Sequence, residues 1–212
     1  MTSTRRRSDL ARIGIMGGTF DPIHIGHLIL AEQARERFEL DEVLFVPAGD
    51  PPHKPDLVVA GANDRFEMVR LAVEDNEHFE CSTVELDRAG PSYTIDTIRE
   101  ILGLLGESTR VYLLMGADEA GDLMSWRDPY GIQALVTIVV ADRPGCGFED
   151  AIEPLPEDFA RGLVRLEMPG VDVSSTDIRE RVRSGRSIRY LVPQAVESHI
   201  LAKRLYQVGG RQ

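Results

Sequence analysis

The sequence predicts an α/β fold: a doubly wound parallel sheet with helices on both flanks. Two observations carry this. Short apolar runs of strand length alternate with segments of helical period along the whole chain. The first apolar run also ends in a double glycine and a loop that leads straight into a helix, the arrangement of a first βα unit.

The elements follow in order. Residues 12–16 form the first strand, which stops at Gly17-Gly18. A helix starts near Gly26 and runs to Phe38, with Leu28, Ala31 and Ala34 on its buried face. Residues 43–46 are a second strand, ended by Pro47, and 48–60 form a proline-rich loop. Asn63 is placed to cap a helix reaching Glu74, since its short amide side chain can accept an orphan N–H. A strand over 79–84, a helix over 92–105 and a buried strand over 110–115 come next. Short helices at 118–123 and 129–135 flank a turn at Trp126, and 136–141 is a strand. Residues 142–162 contain three prolines and three glycines and read as a mobile surface excursion. The last strand spans 163–168, followed by helices over 175–184 and 193–206. Residues 1–10 are expected to be a disordered tail, 11–207 a single domain, and the final four residues a frayed end.

Composition narrows the function. The chain has 212 residues, enough for one sizeable core. Its net charge of -11 disfavours binding to a nucleic-acid backbone. A phosphate ligand remains compatible, because phosphate sites are built from local amides and a few basic side chains. Cys81 and Cys146 show neither zinc spacing nor a disulfide framework, which suits a reducing cytoplasm. No stretch reaches the roughly 20 apolar residues needed to span a bilayer, so no membrane association is expected. A homo-oligomer is compatible with the sequence.

The segment from Gly17 to His27 reads Gly-Gly-Thr-Phe-Asp-Pro-Ile-His-Ile-Gly-His. Glycines at a strand end let backbone N–H groups approach a phosphate, and the following helix adds unpaired donors and a positive dipole end. His24 and His27 stand three apart across that helix start, so both rings can face one spot. Nucleotidyl transfer needs such fixed donors and no covalent intermediate. A double glycine alone is common, and Asp21-Pro22 alone can be a turn. A His pair could bind metal, but no third ligand cluster accompanies it.

A second hydroxyl-rich segment, Ser174-Ser175-Thr176-Asp177-Ile178-Arg179, opens a helix after the last strand. Such residues either cap the helix or bind phosphate oxygens, and Arg179 lies one turn on.

Taken together, the two segments resemble signatures of the nucleotidyltransferase superfamily that carries the H-x-G-H motif, and within it the bacterial nicotinate-nucleotide adenylyltransferases. The resemblance runs from Ile13 to about His199. It implies a Rossmann-like nucleotidyltransferase fold. It also implies that Gly17, Gly18, Thr19 and Phe20 line ATP, that His24 and His27 contact the triphosphate as the catalytic pair, and that Ser175, Thr176 and Arg179 hold the β- and γ-phosphates. His24 to His27 also spells the motif of class I aminoacyl-tRNA synthetases, but their second, lysine-rich signature is absent.

Three further segments bear on the acceptor. Lys54, in Pro-Pro-His-Lys, is either a solvated loop lysine or a charge for an acceptor phosphate. Ser92-Tyr93-Thr94 opens a helix whose early amides can take a carboxylate. Trp126, the lone tryptophan, can pack in the core or stack on a flat ring. In the resembled family the lysine contacts the mononucleotide phosphate, Thr94 supplies an amide to the nicotinate carboxylate, Asp118 binds a ribose and Trp126 packs on the pyridine ring. Arg127 follows Trp126 where family members often carry an aromatic residue.

The expected reaction is therefore AMP transfer from ATP to nicotinic acid mononucleotide. It yields nicotinic acid adenine dinucleotide and pyrophosphate, a step of NAD synthesis. Mg²⁺ is expected as cofactor, held mainly by ATP phosphates, with no protein metal site. The alternatives are another acceptor (nicotinamide mononucleotide or phosphopantetheine) or a non-catalytic nucleotide-binding regulator.

Overall fold

A computed structural model describes residues 11–50 and 59–207. The expectations for the N-terminal tail, for Lys54 and for the frayed C-terminus lie outside the described residues.

Six strands form one sheet in the order β3-β2-β1-β4-β5-β6, and every neighbouring pair is parallel. They are β1 (Arg12–Gly18), β2 (Glu42–Pro47), β3 (Phe79–Cys81), β4 (Arg110–Gly116), β5 (Thr137–Ala141) and β6 (Leu163–Leu166). The helices are α1 (Ile25–Phe38), α2 (Ala62–Val73), α3 (Thr94–Leu102), α4 (Ala117–Ala120), α5 (Pro129–Leu135), α6 (Phe148–Ile152), α7 (Glu157–Ala160), α8 (Ser175–Arg183) and α9 (Gln194–Ala202). A 3-10 turn covers Leu123–Ser125.

Alternation along the strands divides the core. Met16, Phe45, Leu114 and Val139 point to a face covered by α1, α2, α8 and α9. Ile15, Leu44, Leu113 and Ile138 point to the opposite face, covered by α3 to α7. The strands are buried on both sides, which is why they read as continuous apolar runs. The order reverses direction at β1, so a crevice opens between the carboxyl ends of β1 and β4.

The structure corrects several expectations. The α2 N-cap is Gly61, two residues before Asn63. β3 ends at Cys81, because Ser82 and Thr83 turn away: the Ser82 hydroxyl accepts the Val84 N–H, and Thr83 donates to Asp87. In α1, Leu30 joins Ala31 and Ala34 as fully buried, and Leu28 is only half-buried. The last helix ends at Ala202, after which Arg204 and Tyr206 adopt left-handed φ values of 52° and 64°.

The largest correction concerns residues 142–162, expected as a surface excursion. They form α6 and α7 and bury Ala151, Leu155 and Phe159 in the second core. Two helices of four to five residues leave too short a periodic pattern to stand out among the prolines.

Candidate active site

The crevice is a cleft of about 480 Å³ at the carboxyl edge of the sheet. Met16 to Asp21 form one wall, Leu113 to Gly116 the floor, and Ser174, Ser175, Thr176 and Arg179 the far rim. Gly17 presents bare backbone there, since an added Cβ would meet nothing within 4 Å. At Gly18 a Cβ would come within 3.0 Å of the Phe20 ring. Phe20 itself takes a left-handed φ of 49°, rare for an aromatic residue. The turn brings its buried ring edge-on to His27 (5.1 Å, 80°) and against Phe45. Phe20 thus supports the imidazole from beneath.

Chain geometry fixes the two histidines. His24 is the N-cap of α1, and its backbone N–H donates to Nδ1 of His27 at 3.1 Å. The rings stack with centroids 3.7 Å apart. Because Nδ1 of His27 accepts, its proton sits on Nε2. His24 is buried, and its Nδ1 has no hydrogen-bond partner among the described residues. Burial, reinforced by the nearby Arg143 guanidinium, pushes the His24 pKa down to about 3. His27 is lowered well below the usual range, by burial first and then by His24 and Arg143. Both rings are therefore neutral near pH 7. Gly26 makes the stack feasible: a Cβ there would sit 3.1 Å from both Cε1 and Nδ1 of His24.

The turn before His24 is held from several elements. A cis peptide joins Asp21 and Pro22. The Asp21 carboxylate accepts the Tyr206 hydroxyl (2.7 Å) and the backbone N–H groups of Val59 (2.7 Å) and Ala60 (3.2 Å). Arg179 Nη1 donates to the Asp21 carbonyl and Ser175 Oγ to the Pro22 carbonyl, each at 2.8 Å. Ser174 is the cap of α8, accepting the Asp177 N–H. Of the residues expected on the β- and γ-phosphates, Ser175 and Arg179 thus spend hydrogen bonds on the His24 turn, and Thr176 accepts from Arg179 Nη2 at 3.2 Å. All three still line the cleft.

Opposite lie the residues expected on the acceptor. Thr94 is the first residue of α3, after the extended Tyr93 N-cap. Trp126 is half-buried, lining the cleft while packing on the second core. Arg127 lies over the Tyr93 ring at 4.8 Å, and its Nη1 donates to Asp96 at 3.3 Å. Asp118 stands over Gly116 and is met by Arg143 Nη1 at 3.2 and 3.4 Å.

Two arginines of the site escaped the sequence reading. Arg143 lines the cleft at the end of β5 and donates through Nη2 to the Val173 carbonyl at 2.8 Å. It is set by a tight turn through Pro144 and Gly145 (φ 83°), closed by reciprocal backbone bonds with Cys146 at 3.0 Å. The signal was Arg-Pro-Gly directly after a strand. Arg65, 1% exposed, donates to the carbonyls of Thr19 (2.8 Å), Ala48 (2.6 Å) and Gly49 (3.3 Å), tying the loops after β1 and β2 together. Nothing in its helical context distinguishes it from a surface arginine. Among the described residues, no three His, Cys, Asp or Glu side chains gather into a metal-binding group, and no helix is long and apolar enough to cross a membrane.

The chain matches the family model described as cytidylyltransferase-like over residues 15–181. It is 46% identical over 196 residues to a Thermus thermophilus protein named "Probable nicotinate-nucleotide adenylyltransferase", covering 92% of this chain and 100% of that one. It is 43% identical over 199 residues to a Thermoanaerobacter protein of the same name, covering 92% and 94%. Among solved structures, it resembles Plasmodium falciparum nicotinic acid mononucleotide adenylyltransferase complexed with NaAD, with a TM-score of 0.72 at 16% identity, covering 92% of this chain and 97% of that one.

Proposed function

Since this chain belongs to the nicotinate-nucleotide adenylyltransferases, within the cytidylyltransferase-like family, we propose that it transfers AMP from ATP to nicotinic acid mononucleotide. The products are nicotinic acid adenine dinucleotide and pyrophosphate, which places the reaction in NAD synthesis. An oxygen of the acceptor phosphate forms a bond to the α-phosphorus. The bond from that phosphorus to the bridging oxygen breaks, and the electron pair leaves with pyrophosphate.

The observation that carries this reading is the pinned, stacked histidine pair at the mouth of a bare Gly17-Gly18 turn. His27 offers Nε2–H as a fixed donor, and no proton has to be taken up for it to act. Arg143 adds a permanent positive charge on the same side of the cleft. The far rim of α8, with Thr176 and Arg179, faces the departing pyrophosphate. Gly17 to Phe20 bound the nucleotide, while Thr94, Asp118, Trp126 and Lys54 serve the acceptor and the ribose. The acceptor phosphate is already anionic near neutral pH, so no general base is needed. Mg²⁺ would be held mainly by the ATP phosphates and would supply charge neutralisation on the triphosphate.

The test is pyrophosphate release from Mg·ATP with nicotinic acid mononucleotide, nicotinamide mononucleotide and phosphopantetheine offered separately. Release with the first alone is expected. Equal release with the amide would remove the role of Thr94 in reading a carboxylate. ATP binding without release under any acceptor would favour a regulator.

A further inference from the structure

Tyr206 lies 185 residues from Asp21 in sequence, yet its hydroxyl reaches the Asp21 carboxylate at 2.7 Å. The contact is built. After α9 the chain turns back through left-handed residues at Arg204 and Tyr206, with backbone bonds from Arg204 to Leu201 and from Leu205 to Ile200. Tyr206 is 5% exposed and packs with Met68. A buried phenol that donates to a carboxylate keeps its proton: burial and Asp21 both raise its pKa.

Asp21 is itself buried, at 3% exposure. Its oxygens accept Tyr206, Val59 N–H and Ala60 N–H, and its carbonyl accepts Arg179. Only Pro22 and Ile23 separate it from His24. Ile23 is fully buried, and the Ile25 N–H is taken by the Leu191 carbonyl. The turn between the carboxylate and the histidine pair is thus short and tethered on both sides, and it carries the backbone N–H that holds His27.

We propose that Tyr206 is a positioning residue for the transfer, acting through Asp21 to set the entry of the chain into α1 and hence the His24–His27 pair. It does not line the cleft. Its hydroxyl completes the set of donors, with the Val59 and Ala60 N–H groups, that holds one rotamer of Asp21, and Asp21 fixes the turn. The inference rests on the reaction proposed above, so its test carries a readout independent of turnover.

Tyr206→Phe removes one oxygen and keeps the ring. The expected result is a fall in kcat on the order of tenfold, since small misplacements of a catalytic group are costly, with the ATP KM within about twofold of the parent. Asp21→Asn and the double variant complete a cycle. If Tyr206 acts through Asp21, the double variant is no slower than Asp21→Asn alone. Parent kcat in Tyr206→Phe, even with a lowered Tm, would reduce the hydroxyl to a structural role and overturn the proposal. Multiplying effects in the double variant would do the same. The second readout is the tautomer of His27 by ¹⁵N imidazole NMR. The parent should show Nε2–H alone, and Tyr206→Phe a mixture with Nδ1–H. An unchanged spectrum sinks the proposal even if the chain proves inactive with every acceptor, an outcome that would count only against the reaction.

Discussion

The backbone N–H of His24 donates to Nδ1 of His27 at 3.1 Å, and this one bond decides which edge of His27 carries its proton. The opposite nitrogen is left as a donor. His27→Ala should therefore lower kcat by about a hundredfold or more, the usual cost of a lost transition-state donor. The dissociation constant for ATP should change far less. Steady-state kinetics beside direct nucleotide titration separates the two; equal losses would make His27 a binding residue.

Buried neutral histidines make stability depend on pH. An unfolded histidine titrates near 6.5, whereas His24 in the fold does so at about 3. Between those values the unfolded chain takes up a proton that the folded one refuses. The contribution is present in full above about pH 6.5 and is lost as pH falls, by up to about 1.4 kcal/mol per unit. Tm should drop between pH 7 and 5, and the slope should flatten in His24→Asn. Equal slopes would assign acid sensitivity to other groups.

Gly26→Ala separates folding from catalysis. Alanine in a helix is favoured over glycine by up to about 1 kcal/mol, so Tm should hold or rise slightly. The new methyl nevertheless meets the His24 ring at 3.1 Å, and kcat should fall. A fully active, stable variant would show that the stack yields without consequence.

Arg143→Lys keeps the charge but cannot bridge Asp118 and the Val173 carbonyl at once. We expect kcat/KM to fall on the order of tenfold, the worth of one charge-assisted hydrogen bond. Parent kinetics would leave Arg143 as a charge that needs no fixed direction.

Arg65→Met should act on stability. It strips buried partners from the carbonyls of Thr19 and Ala48, at a cost of about 3 kcal/mol. Urea unfolding measures it, and a change below about 1 kcal/mol would mean that water replaces the guanidinium.

Local chemistry made much of this legible. The strands announced themselves because both faces of the sheet are covered, and the glycine–histidine segment because its residue types have few structural uses in that order. What stayed hidden was long-range. Nothing near Arg65 or Tyr206 reveals that each turns inward, since that depends on carbonyls and a carboxylate contributed by other parts of the chain. Ser175 and Arg179 show the same limit: their types suggested phosphate, while their positions also serve the backbone of Asp21 and Pro22. The stretch 142–162 misled because its punctuation by proline and glycine outweighed three apolar residues spaced for two short helices.

The hydroxyl of Tyr206 also sets a timetable. Its partner, Asp21, leaves the ribosome 185 residues earlier, a gap of roughly 10–40 s at ordinary rates of translation. During that interval the first strands can pair, but the histidine turn lacks its last support: the buried Asp21 carboxylate has only the Val59 and Ala60 N–H groups and not the hydroxyl. The nascent chain can therefore hold a sheet before its histidine turn has the full set of supports that the finished fold gives it.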